Sequence, residues 1–277
     1  MAFMVNILIF LLGVAIGSFL NCVLYRLEIG KSFLHGRSYC PNCKHTLAWT
    51  DLIPVISFLW LQGKCRYCGN RISLQYPLVE IATGMVFLLI FNFQFPIFNQ
   101  FSIIQFLNLT LLLYVVSSLI IIFVYDLKHY VIPDSVLFPA IIVAFLYRIL
   151  DFRNLNLFRI SDFGFFISTP LINYLVASFL ASVFFLLIFL VSKGQWMGFG
   201  DVKLALLLGF ILGFPNILLG LFLAFLFGAI IGIGCIILDK KGLKSEMPFA
   251  PFLIVGTLVA MFWGGQMIDW YIRFLIF

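Results

Sequence analysis

Apolar residues along this chain come in long continuous runs, not in the alternation that would mark half-buried strands. The runs lie at roughly 3–24, 77–95, 103–124, 135–150, 171–192, 202–214, 216–238 and 249–265. About 20 consecutive apolar residues cross a bilayer as a helix, and a barrel would show a period of two. The sixth run is short and the last is weakly bounded, but the pattern as a whole predicts an all-α polytopic membrane protein with about eight transmembrane helices. Residues beyond 265, including Met267, Ile268, Trp270 and Tyr271, read as an interfacial tail with aromatic anchors. A polar stretch, 25–76, separates the first two runs. The expected organisation is a first transmembrane helix (1–24), a small polar insert (25–76) and a membrane core (77–277).

Composition strengthens the lipid reading. Of 277 residues, 64% are hydrophobic and 10% charged, and Phe alone supplies 35. Soluble domains carry roughly 25% charged residues. The net charge of +6 then has a topological explanation. Alternating eight spans from an outside start puts 13 of the 17 Lys and Arg on the inner side, leaving Arg148, Arg153, Arg159 and Arg273 outside. Cytoplasmic loops carry that excess, so no nucleic-acid partner is expected. The first positive charge, Arg26, follows the first apolar run, unlike the basic start of a cleaved signal. An uncleaved first helix with its start outside the cytoplasm is therefore expected.

The insert contains Cys40-Pro-Asn-Cys43 and Cys65-Arg-Tyr-Cys68, with 21 residues between the pairs. Two Cys-x-x-Cys knuckles can gather four thiolates around one tetrahedral zinc. Disulfides fit a reducing cytoplasm poorly, and a redox pair needs no second copy. Four thiolates leave no open coordination position, so the metal is read as structural. His45 lies close enough in sequence to replace one ligand, although a surface histidine is the simpler reading. Cys22 and Cys235 fall in apolar runs and read as buried small side chains.

Most of the 11 carboxylates distribute by face: Glu28, Asp51, Glu80, Asp239 and Glu246 at the inner one, Asp151, Asp162 and Asp269 at the outer. Asp126, Asp134 and Asp201 stand at sharp helix boundaries. Asp134 follows Pro133 and reads as the cap of the fourth span. Asp126 ends the third span and Asp201 opens the sixth, with two crossings between them, so both reach the same membrane face. Two carboxylates there could share a proton and hydrolyse a peptide, one taking a proton from water and the other donating to the carbonyl. Asp201 could instead be a helix N-cap. Asp126 has no such role, since a carboxylate at a helix C-terminus opposes the macrodipole. Gly198 and Gly200, flanking Phe199, would let backbone approach a substrate and adopt conformations closed to other residues.

Gly198-Phe199-Gly200-Asp201 resembles the GxGD signature of intramembrane aspartyl proteases. Gly17-Ser18-Phe19-Leu20-Asn21, Tyr25-Arg26-Leu27, Trp49-Thr50-Asp51-Leu52-Ile53-Pro54-Val55, Gly63-Lys64-Cys65-Arg66 and Tyr76-Pro77-Leu78-Val79-Glu80 are similar to bacterial type IV prepilin peptidases. So are the stretch from Asp126 to Ile132-Pro133-Asp134 and Pro248-Phe249-Ala250-Pro251-Phe252, where Ala250 stands in place of an expected glycine. The resemblance runs in order over nearly the whole chain. It implies Asp126 and Asp201 as the catalytic pair and a cytoplasmic zinc site at Cys40, Cys43, Cys65 and Cys68. It further implies removal of a short basic leader from type IV prepilins or type II secretion pseudopilins at the cytoplasmic face of the bacterial inner membrane. N-methylation of the new terminus with S-adenosylmethionine would follow, by a cofactor site the residues do not locate. Glu80 is a candidate contributor there, or simply a helix-start carboxylate. The competing reading is a non-catalytic assembly factor or transporter that uses the zinc insert to dock a partner.

Overall fold

The computed structural model describes residues 2–32, 36–94, 103–151, 170–238 and 247–276, and among them it has helices and no named strand. The chain forms two compact units, Met1–Ser102 and Ile103–Phe277.

The N-terminal unit holds α1 (Ala2–Glu28), a 3-10 turn (Trp49–Leu52), the short α2 (Ile56–Trp60) and α3 (Gln75–Gln94). α1 packs lengthwise on α3. Glycines one turn apart permit it: a Cβ on Gly13 would lie 2.7 Å from the Gly84 Cα, and one on Gly17 would lie 2.7 Å from the Glu80 Cα. In lipid, where apolar side chains gain little by meeting each other, such close backbone approach drives helix pairing. Gly17→Leu should force the helices apart and cost at least about 1–3 kcal/mol. A lowered thermal transition of the purified protein in detergent would register this. An unchanged transition would show that the contact is dispensable.

The C-terminal unit holds α4 (Ile103–His129), α5 (Asp134–Asp151), α6 (Pro170–Ser192), α7 (Phe199–Leu212), α8 (Asn216–Ile237) and α9 (Ala250–Ile276). α7 is its centre, packed against α5, α6, α8 and α9. Ten of its 14 residues are buried, so a helix apolar on every side belongs inside the bundle. Gly209 lies against the Ser178 backbone, where any Cβ would overlap. The helix ends at Gly213, whose φ of 66° suits a residue without a side chain. Arg148, in the outer group by charge counting, is buried here. Its guanidinium donates to the carbonyls of Phe210 and Ile211 and lies 3.7 Å from the Tyr174 ring centroid. It thus satisfies the orphan carbonyls at the end of α7.

Helices occupy all eight places the apolar runs predict. Six of them (α1, α3, α4, α6, α8 and α9) are long and apolar enough to cross a membrane. α5 and α7 are the shorter two. Exposed Phe179, Leu187, Val191, Phe222 and Ile230 give α6 and α8 apolar outer faces, which a bilayer would cover. This is a multi-pass membrane protein. The tail expected after residue 265 is instead the last turns of α9, with Trp270 and Phe274 stacked one turn apart. No breaker stands between Gly265 and Arg273, so the helix simply continues. Arg153, Arg159, Asp162, Asp239, Lys240, Lys241, Lys244 and Glu246 lie outside the described residues.

Candidate functional site

Each unit presents one constellation. In the N-terminal unit the four Sγ atoms of Cys40, Cys43, Cys65 and Cys68 lie within 4.8 Å of one another. A tetrahedron of zinc–sulfur bonds about 2.3 Å long has edges of roughly 3.8 Å. The Cys40–Cys68 edge, at 4.0 Å, is close to that already. Both knuckles fold alike. The Cys40 amide donates to the His45 carbonyl and Lys44 donates back to Cys40, while Cys65 and Asn70, Gly69 and Cys65 repeat the pattern. Each knuckle turns through a left-handed residue directly after its second cysteine: Lys44 at φ 58° and Gly69 at φ 68°. Gly69 adopts this freely and Lys44 at a cost, which a bound metal would offset.

The thiols themselves argue for a cation. Amide hydrogen bonds from Asn70 and the Asn42 side chain hold Cys68 down to about 7. Against an amide hydrogen bond from His45, dehydration and the neighbouring Cys40 and Cys68 push Cys43 up to about 11. Four sulfurs this close cannot all ionise without a positive charge among them. His45 is exposed, lies tilted against the Tyr67 ring with centroids 3.8 Å apart, and is no part of the cluster. Asp51 ties the 3-10 turn to the second knuckle, pairing with Arg66 at 2.8 Å and accepting from Tyr67 at 3.2 Å. Cys22 and Cys235 are half-buried, not buried as their apolar runs suggest, because helix faces at those positions are only partly covered.

In the C-terminal unit Asp126 and Asp201 are both buried, 5% and 9% exposed. Asp126 lies in the last turn of α4 and Asp201 in the first turn of α7. The two carboxylates lie near enough for the charge of Asp126 to act on Asp201. The N-cap of α7 is Gly198, so Asp201 is the third helical residue and not the cap. Its carboxylate accepts the Gly198 amide, the reach-back half of a capping box. Asp126 accepts the backbone amide of Ala250, the first residue of α9. The positive end of α9 thereby offsets the unfavourable end of α4 on which Asp126 sits. Each carboxylate therefore faces a helix N-terminus.

The motif glycines contribute space and not unusual conformation. Gly198 is extended, with φ −76° and ψ 151°, and neither glycine has positive φ. A Cβ on Gly200 would lie 3.2 Å from Ile132, so bulk there would press on the segment between α4 and α5. Asp134 opens α5 and takes both its short contacts from Lys203, with Nζ 2.8 Å from each oxygen. That ion pair joins the starts of α5 and α7, two residues from Asp201. Nothing in residue order signals the Ala250 amide, since a backbone donor has no residue-type signature. The Lys203–Asp134 pairing was equally hidden, because 69 positions separate its partners.

Comparison with known proteins bears on both constellations. A family described as Bacterial Peptidase A24 N-terminal domain matches residues 11–94, and one described as Type IV leader peptidase family matches residues 113–233. A prepilin leader peptidase/N-methyltransferase of Aeromonas salmonicida (strain A449) is 30% identical over 97% of this chain and 94% of its own. The protein of the same name from Bacillus subtilis (strain 168) is 30% identical over 96% of this chain and 97% of its own. That of Legionella pneumophila is 30% identical over 95% and 93%. No solved structure matches the chain.

Proposed function

Since the chain belongs to the prepilin leader peptidase/N-methyltransferase family, we propose that it removes short basic leaders from type IV prepilins or type II secretion pseudopilins and then methylates the new N-terminus. The reaction takes place at the cytoplasmic face of the bacterial inner membrane, the side on which the loop charges concentrate. Residues 25–76 form the zinc insert, and 77–277 contain the hydrolytic core.

One observation carries the hydrolytic reading. Two buried carboxylates from different helices, Asp126 and Asp201, lie close together in one compact unit, each against a helix N-terminus. Close burial of like charges keeps one proton between them. The ionised carboxylate takes a proton from a water molecule, whose oxygen adds to the scissile carbonyl carbon. The protonated carboxyl gives its proton to the carbonyl oxygen. Collapse of the tetrahedral adduct breaks the C–N bond, and the leaving amine takes up a proton. The Lys203–Asp134 pair and the tight fit of Gly200 on Ile132 hold the start of α7 in register for this chemistry.

The sulfur cluster fits zinc by donor type and spacing, and the metal would act by holding the insert together. S-adenosylmethionine, when bound, supplies an electrophilic methyl group, which the new α-amine accepts with loss of a proton. The test is incubation of the purified protein with a prepilin and S-adenosylmethionine. Release of the leader and a mature product heavier by one methyl group are expected. An intact substrate under conditions where the protein is folded would contradict the reading.

A further inference from the structure

The insert of the N-terminal unit turns large apolar side chains outward. Trp49 is 77% exposed, Ile56 59%, Leu59 68% and Trp60 83%. Ile56, Leu59 and Trp60 stand at the i, i+3 and i+4 positions of α2, so they share one face of that helix. Phe58 turns the other way, with its ring 3.1 Å from where a Cβ on Gly63 would lie. A single exposed apolar residue needs no explanation, whereas a grouped apolar face marks a binding surface.

The depth of α2 identifies what surrounds that face. The Val55 amide, at the start of α2, donates to a carboxylate oxygen of Glu80 at 2.7 Å. The Ser18 hydroxyl of α1 donates to the same carboxylate. Val55 sits at φ 60°, a strained conformation for a β-branched residue that this hydrogen bond helps to hold. Glu80 is five residues into α3, which starts at Gln75. At 1.5 Å per residue it lies about 7.5 Å along that membrane-spanning helix. A hydrogen bond to its side chain therefore keeps the start of α2 beside the span, at the level of a headgroup layer roughly 5–8 Å deep. Leu74 and Leu78, one turn apart where α3 begins, are also exposed, so the apolar outer surface of α3 continues up to this level.

We infer that Ile56, Leu59 and Trp60, with Trp49 of the adjoining 3-10 turn, form an interfacial anchor that enters the headgroup layer of an anionic bilayer. Charge supports that occupant. Residues 31–76 carry Lys31, Arg37, Lys44, Lys64, Arg66 and Arg71, all exposed, against one acidic residue, Asp51, which is paired with Arg66. Anionic lipid attracts such a cluster, and tryptophan is enriched at headgroup level. The same charges repel a basic leader, which argues against the substrate as occupant of this face. The anchor holds the zinc insert against the bilayer at a set height on the spans. It depends on the multi-pass fold and not on the reaction proposed above.

Photolabelling of the purified full-length protein in vesicles tests this. The probes are phosphatidylglycerol and phosphatidylcholine carrying the same photoreactive group at the top of an acyl chain. The tryptic peptide 45–64 contains Trp49 and the whole of α2. It is expected to take up label, about threefold or more from phosphatidylglycerol than from phosphatidylcholine. Leu59→Glu combined with Trp60→Glu should lower that labelling about fivefold or more while labelling of the spans stays the same. Both side chains are exposed, so neither change empties a core, and the thermal transition shows that the variant has folded. A peptide 45–64 free of label, equal labelling by the two lipids, or undiminished labelling of the folded variant would overturn the anchor. Loss of the label on adding a prepilin would give the face to the substrate and overturn it as well.

Discussion

Stripping zinc from the purified protein is expected to unfold the insert at 36–73 while most of the helix content persists. Among described residues 36–76, only Cys40 and Cys65 are buried, and no large apolar side chain is. The insert therefore has no hydrophobic core to fall back on, and segments this small need a staple. A structural zinc site is worth about 10–16 kcal/mol in small peptides, comparable to the whole stability of an ordinary domain at about 5–15 kcal/mol. Chelation should raise the rate of proteolytic cutting within 36–73 by orders of magnitude, and Cys40→Ser should do so without chelator. Metal analysis should give one zinc per chain. A metal-free preparation with the same resistance to cutting would show that the knuckles hold themselves.

Asp126→Asn and Asp201→Asn should each lower leader cleavage by about a thousandfold or more, since a dyad missing one member has lost its proton exchange. The change is nearly isosteric. An asparagine oxygen can still accept the Ala250 or Gly198 amide, so the helix ends keep their partners and the fold should survive. The double variant should be little worse than either single one, because groups that act as a unit do not contribute additively. Single-turnover rates on a prepilin in vesicles would show this. Losses that multiply across the double variant would mean that the two carboxylates act separately.

Much of this architecture was legible from residue order. Continuous apolar runs placed eight of the helices among the described residues, six of them long enough to span a membrane, and the paired Cys-x-x-Cys spacing located the sulfur cluster. The parity of crossings predicted a shared membrane face for Asp126 and Asp201, and both lie buried within one compact unit. What remained hidden was mostly backbone. The amide of Ala250 that meets Asp126 looks in sequence like an unremarkable alanine where glycine was expected. Asp201 resembled a cap because Asp favours that position, yet Gly198 takes the cap and leaves the third helical place to Asp201. The continuation of α9 past residue 265 was obscured because interfacial aromatics serve equally well in a tail and on a helix. Arg148 was counted as an outer charge because nothing local reveals that α7 ends beside it.

The most direct test of the account is mass spectrometry of a prepilin incubated with the wild-type protein, Asp126→Asn and Asp201→Asn, in matched vesicles with S-adenosylmethionine. The account predicts a released leader and an N-methylated product from the wild type alone, with all three proteins equally folded. Leader release at the wild-type rate by either variant would contradict it.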